Sequence, residues 1–208
     1  PEKKLTVINA KGAAKDYSLN VAATKWDIQD IKGIPQKKVT PSAADQNEIG
    51  RERGDLKKAL ADKLNKNYWE KGFVMPVKGR ISGHFGGQRI MNGRKMNPHQ
   101  GTDIAAPEGT PVKAASNGII RLSGGNYFYS GNTVVIDHGH QLFTIYAHLK
   151  KVSVKAGDYV RQGQVIGEVG KTGRVTGPHL HWGASLNGVR FTPESLLHMN
   201  NADFCFNL

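Results

Sequence analysis

Between Leu5 and Ile34 apolar and polar positions alternate in short runs, Leu5-Thr6-Val7-Ile8 and Tyr17-Ser18-Leu19-Asn20-Val21, with turn formers at Lys11-Gly12 between them. Period two puts successive side chains on opposite faces of an extended chain, so this stretch predicts a small β unit over residues 1–40. The pattern changes at Thr40-Pro41-Ser42, where a hydroxyl N-cap followed by proline at the first helical position marks a helix start. Ile49, Leu56, Leu60 and Leu64 then recur near helical spacing among charged residues. These features predict a helix and linker over residues 41–71 lying on a surface, with Gly50 and Gly54 weakening its first half.

From Phe73 the pattern becomes short apolar runs separated by glycine turns. It predicts strands at 73–77, 101–105, 111–115, 118–122, 133–137, 142–147, 159–160, 165–169, 179–185 and 189–191. A short helix at 193–198 can be capped by Thr192. The fold class is therefore mainly β, an antiparallel sheet or sandwich over residues 72–198, followed by a tail at 199–208. Glycine usage supports the division, since 21 of the 25 glycines lie from Gly72 onward. Trp69 and Trp182 read as packing residues.

Composition narrows the function classes. Cys205 is the only cysteine, which excludes an intramolecular disulfide and a thiolate zinc finger, and it reads as an inert thiol in the tail. No window approaches 18 uninterrupted apolar residues, so no membrane-spanning helix is expected. The chain opens Pro1-Glu2-Lys3-Lys4, without an initiator methionine or a secretory leader, as expected of a processed form of a longer product. The formal charge is +12, of which +5 falls on residues 1–71 and +7 on the remainder. Basicity spread in this way suits weak attraction to an anionic polymer, and no nucleic-acid-binding motif accompanies it.

Histidine placement carries the chemical signal. In His179-Leu180-His181 two imidazoles at spacing two on a strand project from one side, while Leu180 and Trp182 face the other. His99-Gln100-Gly101-Thr102-Asp103 offers an imidazole and a carboxylate that can reach a common point if the chain kinks near Gly101. Neutral imidazoles and a carboxylate without thiolates suit zinc, and three protein ligands leave a position open. His148, at the end of the apolar run in Tyr146-Ala147-His148-Leu149, is the next candidate, and His84 is a candidate cleft residue. His138-Gly139-His140 reads as a hairpin turn between two strands.

The ordered set His99-x-x-x-Asp103, Ile104-Ala105-Ala106-Pro107-x-Gly109-Thr110-Pro111-Val112, Tyr146-Ala147-His148-Leu149 and Gly177-Pro178-His179-Leu180-His181-Trp182 resembles the LytM/lysostaphin-type zinc peptidoglycan endopeptidases. The likeness runs from about Phe73 to Leu197. A softer one links the N-terminal part, through Lys37-Lys38-Val39-Thr40-Pro41, to Gram-negative envelope members. Carried over by position, it implies that His99, Asp103 and His181 bind one Zn2+ ion and that His148 and His179 are the catalytic histidines. One would accept the proton of the attacking water and the other support the tetrahedral intermediate, with the choice between them left open. No His-Glu-x-x-His helix is present to supply a glutamate base.

The resemblance further implies a substrate among peptidoglycan stem peptides and their cross-links, with the D-alanyl to diaminopimelyl bond favoured over a pentaglycine bridge. It implies a periplasmic or secreted location and a monomer without nucleic-acid partners. Residues 92–98 depart from the pattern: they hold no tyrosine where some members carry one for the oxyanion, and Arg94 is only a remote substitute. Two other classes fit the residues less well. A non-catalytic amidase activator would lack metal ligands, whereas all five site positions are filled. A lipoyl-like carrier, suggested by Val160-x-x-Gly163-x-x-Ile166-Gly167, would need a Met-Lys-Met hairpin that is absent.

Overall fold

The computed structural model describes residues 2–8, 11–62 and 64–199; Cys205 and the tail beyond Met199 lie outside the described residues. Strands β1 (Glu2–Ile8) and β2 (Ala14–Asn20) form a two-stranded antiparallel ribbon whose side chains are mostly exposed on both faces. β3 (Ile28–Ile31) leaves that ribbon and pairs in parallel with β5 (Gln88–Met91), which also pairs with β6 (Arg94–Lys95). A single helical turn, α1 (Gln36–Val39), follows, within the stretch predicted to be β. Ile34, Val39 and Met91 bury one another there, with Ile31 and Met96 against them.

Helix α2 spans Ala43–Ala59 and starts later than the Thr40-Pro41 signal predicts, because Ser42 is the N-cap. The Asp45 amide donates to the Ser42 hydroxyl at 3.3 Å and the Ser42 amide to the Asp45 carboxylate at 2.9 Å, a reciprocal pair that satisfies two amides the helix itself leaves unbonded. The Ser42 hydroxyl and Lys37 hold the Asp45 carboxyl down to about 2. The helix is not only a charged surface element. Glu52 is buried, and its carboxylate accepts the Tyr129 and Ser130 amides, both at 2.9 Å, and the Ser130 hydroxyl at 2.7 Å.

The main sheet runs β13-β9-β10-β11-β15-β7-β4, with β16 on β15, formed by β4 (Arg80–Gly83), β7 (Thr102–Ala105), β9 (Gly118–Tyr127), β10 (Gly131–Asp137), β11 (Leu142–Leu149), β13 (Tyr159–Val160), β15 (His179–Leu186) and β16 (Val189–Phe191). A second sheet, β12 (Lys151–Val152), β14 (Val165–Glu168) and β8 (Pro111–Lys113), lies beside it. A 3-10 helix, Pro193–His198, closes the described chain. Trp182, Tyr146, Leu180, Ile104 and Ile166 share one core. On another cluster, Val135, Phe143 and Ile145 meet Leu56 and Ala59 of α2 and Leu60, which caps it. β11 is thus buried along its whole length, which explains why residues 142–149 read as a continuous apolar run instead of an alternation.

Residues 73–77 are not a strand, contrary to the sequence pattern. Val74 N–H donates to the Ala115 carbonyl and Lys113 N–H to the Pro76 carbonyl, both at 2.8 Å, but Pro76 has no N–H with which to continue the ladder. Inside the core, His138 Nδ1–H donates to the Asn117 carbonyl at 2.6 Å, and its Nε2 lies 2.7 Å from the Thr144 hydroxyl. That hydroxyl bonds the Tyr146 hydroxyl at 2.9 Å, which in turn accepts the Ala115 amide at 2.9 Å.

Candidate metal centre and active site

Asp103 on β7 and His181 on β15 face each other as cross-strand partners, and His99 reaches them from the loop ahead of β7. The donor atoms converge: Asp103 Oδ1 lies 3.1 Å from His99 Nε2 and 2.9 Å from His181 Nδ1, and the two imidazole nitrogens are 3.0 Å apart. Ligands at about 2.0–2.1 Å from a tetrahedral zinc would sit about 3.3 Å from one another, so the trio fits such an ion with a small outward adjustment. Together His99, Asp103 and His181 can hold one metal ion. Gly101 allows the approach, since a Cβ there would lie 2.5 Å from the Trp182 carbonyl oxygen and 2.7 Å from the His181 ring.

Hydrogen bonds outside the trio set the donors. A carbonyl only accepts, so His99 Nδ1, 3.0 Å from the His84 carbonyl, carries the proton and leaves the Nε2 lone pair free for a metal. Here His84 contributes its main chain. Burial is the largest influence on Asp103 and pushes its pKa up, but the adjoining His181 and His99 imidazoles outweigh it and hold the carboxyl well below its usual range. Burial pushes His181 down to about 4, against the pull of Asp103. Asp103 Oδ2 is engaged by the guanidinium of Arg89 on β5.

His148 and His179 stand beside this trio, with ring centroids 4.8 Å apart and His148 5.9 Å from His181. His148 Nδ1–H donates to the Thr172 carbonyl at 2.8 Å and His179 Nδ1–H to the Gly177 carbonyl at 2.9 Å. Both rings are thereby left with Nε2 unprotonated when neutral, and His179 Nε2 is 3.7 Å from Asp103 Oδ1. His148 adopts φ 65°, a left-handed conformation that breaks the strand's alternation after Ala147, the partner of His181. Its amide bonds the Ser130 carbonyl at 2.8 Å, the residue that Glu52 of α2 holds in place. Burial, then the neighbouring His179 and His181, keep the His148 pKa well below normal.

A model described as Peptidase family M23 matches residues 97–193, a span containing all five of these side chains. A Pseudomonas aeruginosa protein whose crystal structure carries the M23 peptidase description superposes with a TM-score of 0.70 at 32% identity, covering 94% of this chain and 72% of its own. This chain belongs to peptidase family M23. Among M23 relatives, the Vibrio cholerae peptidoglycan DD-endopeptidase ShyC is 37% identical over 154 residues, 69% of this chain and 35% of ShyC. ShyA of the same organism, also described as a peptidoglycan DD-endopeptidase, is 46% identical over 117 residues, 56% of this chain and 27% of ShyA. The chain therefore spans about a third of the length of these curated relatives.

Within this M23 frame the residues singled out in the sequence are brought together, and several others around them had no motif to announce them. Arg89, Tyr129 and Arg174 line the cleft beside the histidines. Arg94 does not line it, and His138 has both ring nitrogens engaged inside the core. Among the described residues, no helix is long and apolar enough to cross a membrane.

Proposed function

We propose that this chain is the zinc-dependent catalytic part of an endopeptidase that hydrolyses peptide cross-links of bacterial peptidoglycan, at D-alanyl to diaminopimelyl bonds. The observation that carries the reading is the pair of imidazoles, His148 and His179, each anchored through Nδ1 on a main-chain carbonyl beside the three converging donors of His99, Asp103 and His181. The names of ShyA and ShyC support the bond class. The donor set, two neutral imidazoles and one carboxylate without thiolate, supports zinc and an open position. Residues 72–198 form the peptidase unit in this reading and residues 1–40 an appended one, working as a monomer in the periplasm.

Zinc bound there would polarise the scissile carbonyl and lower the pKa of the attacking water from about 15.7 toward about 7. The protein's own residues do the rest. His148, kept neutral by burial, accepts the water proton at Nε2 and returns it to the leaving amine. His179, its ring held by the Nδ1 bond to the Gly177 carbonyl, is the second imidazole beside the scissile bond and supports the tetrahedral intermediate. The non-catalytic amidase-activator reading is disfavoured because none of the five positions is substituted.

Metal analysis followed by digestion of purified sacculi tests the proposal. One zinc per chain, release of cross-linked muropeptides as monomers, and loss of release with a chelator are expected. A zinc-loaded sample that leaves sacculi intact would refute it.

A further inference from the structure

The cleft around the five site residues has a charge pattern that its catalytic groups do not require. Its larger recess, about 440 Å³, is lined by Arg53, Arg89, Arg174 and Arg190 and by no aspartate or glutamate. A second recess of about 410 Å³ shares Arg89 and Arg174 with it and holds Asp103, His179 and Asp30, the last of which makes no ion pair with Arg174. Arg174 therefore stands where the two recesses meet, next to the groups that would surround the scissile bond.

Arg174 is half-buried and has no ion pair among the described residues. Its guanidinium lies 4.3 Å from the centroid of the Tyr129 ring, and its amide donates to the Tyr129 carbonyl at 2.8 Å, so the side chain is held on a platform. The nearby acid, Glu52, has its carboxylate committed to Tyr129 and Ser130. Arg89, by contrast, is neutralised by Asp103. A guanidinium partly withdrawn from water and left without a counter-charge is unfavourable unless an anion arrives to meet it. Arg190 repeats the theme on the floor, half-buried and without an ion pair among the described residues, beside Gly183 of β15.

We propose that Arg174, with Arg190 farther along the floor, forms a carboxylate-binding subsite, which makes the preferred substrate an acidic peptide with a free carboxylate next to the bond that is cut. The planar fork of an arginine matches a carboxylate with two parallel N–H donors, and stacking on Tyr129 keeps that fork oriented. The inference rests on the endopeptidase reading and deepens it. In a D-alanyl to diaminopimelyl cross-link the carbon bearing the leaving nitrogen also bears a free carboxylate, whereas a pentaglycine bridge has none there. Arg174 is a specificity-determining residue for that group.

Two synthetic cross-linked peptides that differ only in having a carboxylate or a carboxamide on that carbon decide the matter. They are assayed as kcat/KM with the zinc-loaded chain, Arg174→Gln, Arg174→Lys and Arg190→Gln, each checked for zinc content and melting temperature. The unmodified chain is expected to favour the carboxylate by on the order of 10- to 100-fold. Arg174→Gln is expected to bring that ratio to within about threefold of unity, and Arg174→Lys to an intermediate value because charge remains without the fork. Arg190→Gln lowers it less. Equal cleavage of both peptides by the unmodified chain would overturn the subsite and leave the endopeptidase reading standing, a result that needs no variant to fold. A ratio unchanged in Arg174→Gln would overturn it as well. Cleavage of neither peptide would remove both.

Discussion

The guanidinium of Arg89 engages Oδ2 of Asp103 and so leaves Oδ1 to face His99 at 3.1 Å and His181 at 2.9 Å. Arg89 is itself steadied by Gln29 of β3, whose side-chain oxygen accepts Arg89 Nε–H at 3.3 Å and whose amide donates to the Ser82 carbonyl at 3.1 Å. Strand β3 of the N-terminal part thus reaches a proposed metal ligand through one intervening side chain. Arg89→Ala is expected to weaken zinc binding by about 10- to 100-fold, and Gln29→Ala by less, because groups behind a ligand fix its orientation. Competition against a chromophoric chelator measures this; unchanged affinity in Arg89→Ala would show that the contact plays no part in ligation.

Removal of a proposed ligand and removal of a proposed proton carrier should separate cleanly. Asp103→Ala and His181→Ala are expected to lose the metal. His148→Ala and His179→Ala are expected to keep it while turnover falls by about 10² to 10⁴. Zinc stoichiometry and kcat, measured on the same preparations, check both halves, and full activity in the double variant His148→Ala, His179→Ala would reject the assignment.

The helix α2 should matter to catalysis although it holds none of the five residues. Glu52 fixes the 129–130 turn, and the Ser130 carbonyl accepts the amide of His148, whose φ of 65° must be maintained against its intrinsic preference. Glu52→Ala leaves two main-chain amides without their partner and is expected to cost about 2 kcal/mol or more. Chemical denaturation of the metal-free chain reads the stability. Activity should fall too, whereas a variant less stable but fully active would show that the turn holds its shape without Glu52.

Burial lowers the His138 pKa to about 4 from 6.5, so the folded state prefers the neutral ring. The unfolded chain binds the extra proton first, which means that this contribution is complete above about pH 6.5 and is lost as pH falls through about 4. A shift of that size corresponds to on the order of 3 kcal/mol. Urea midpoints of the metal-free chain and of His138→Gln between pH 4 and 7 should therefore converge at the acid end. Parallel profiles over that range would exclude His138 as the source.

Much of this organisation is local enough to read along the chain. The strands of the main sheet follow from runs such as 142–147 and 179–185, and the pairing of His179 with His181 follows from their spacing of two, with Leu180 and Trp182 fully buried behind them. The failures have nameable causes. Residues 73–77 look like a strand until Pro76 is asked for an N–H, and β4, β5 and β6 are too short and too polar to stand out from the glycine-rich text around them. A hydroxyl before proline makes Thr40 a strong helix start along the chain, but the reciprocal bond with Asp45 makes Ser42 the cap.

The residue order by itself determined which side chains could serve as ligands and that the chain would be rich in strands, because side-chain direction on an extended backbone repeats every two residues without help from the rest of the molecule. Tertiary structure alone decided that His148 would turn toward His179, that Arg89 would take one oxygen of Asp103, and that Arg174 would stack on Tyr129 with no ion pair among the described residues. Each of these depends on segments far apart in the chain being packed side by side, and no spacing rule within one segment encodes that.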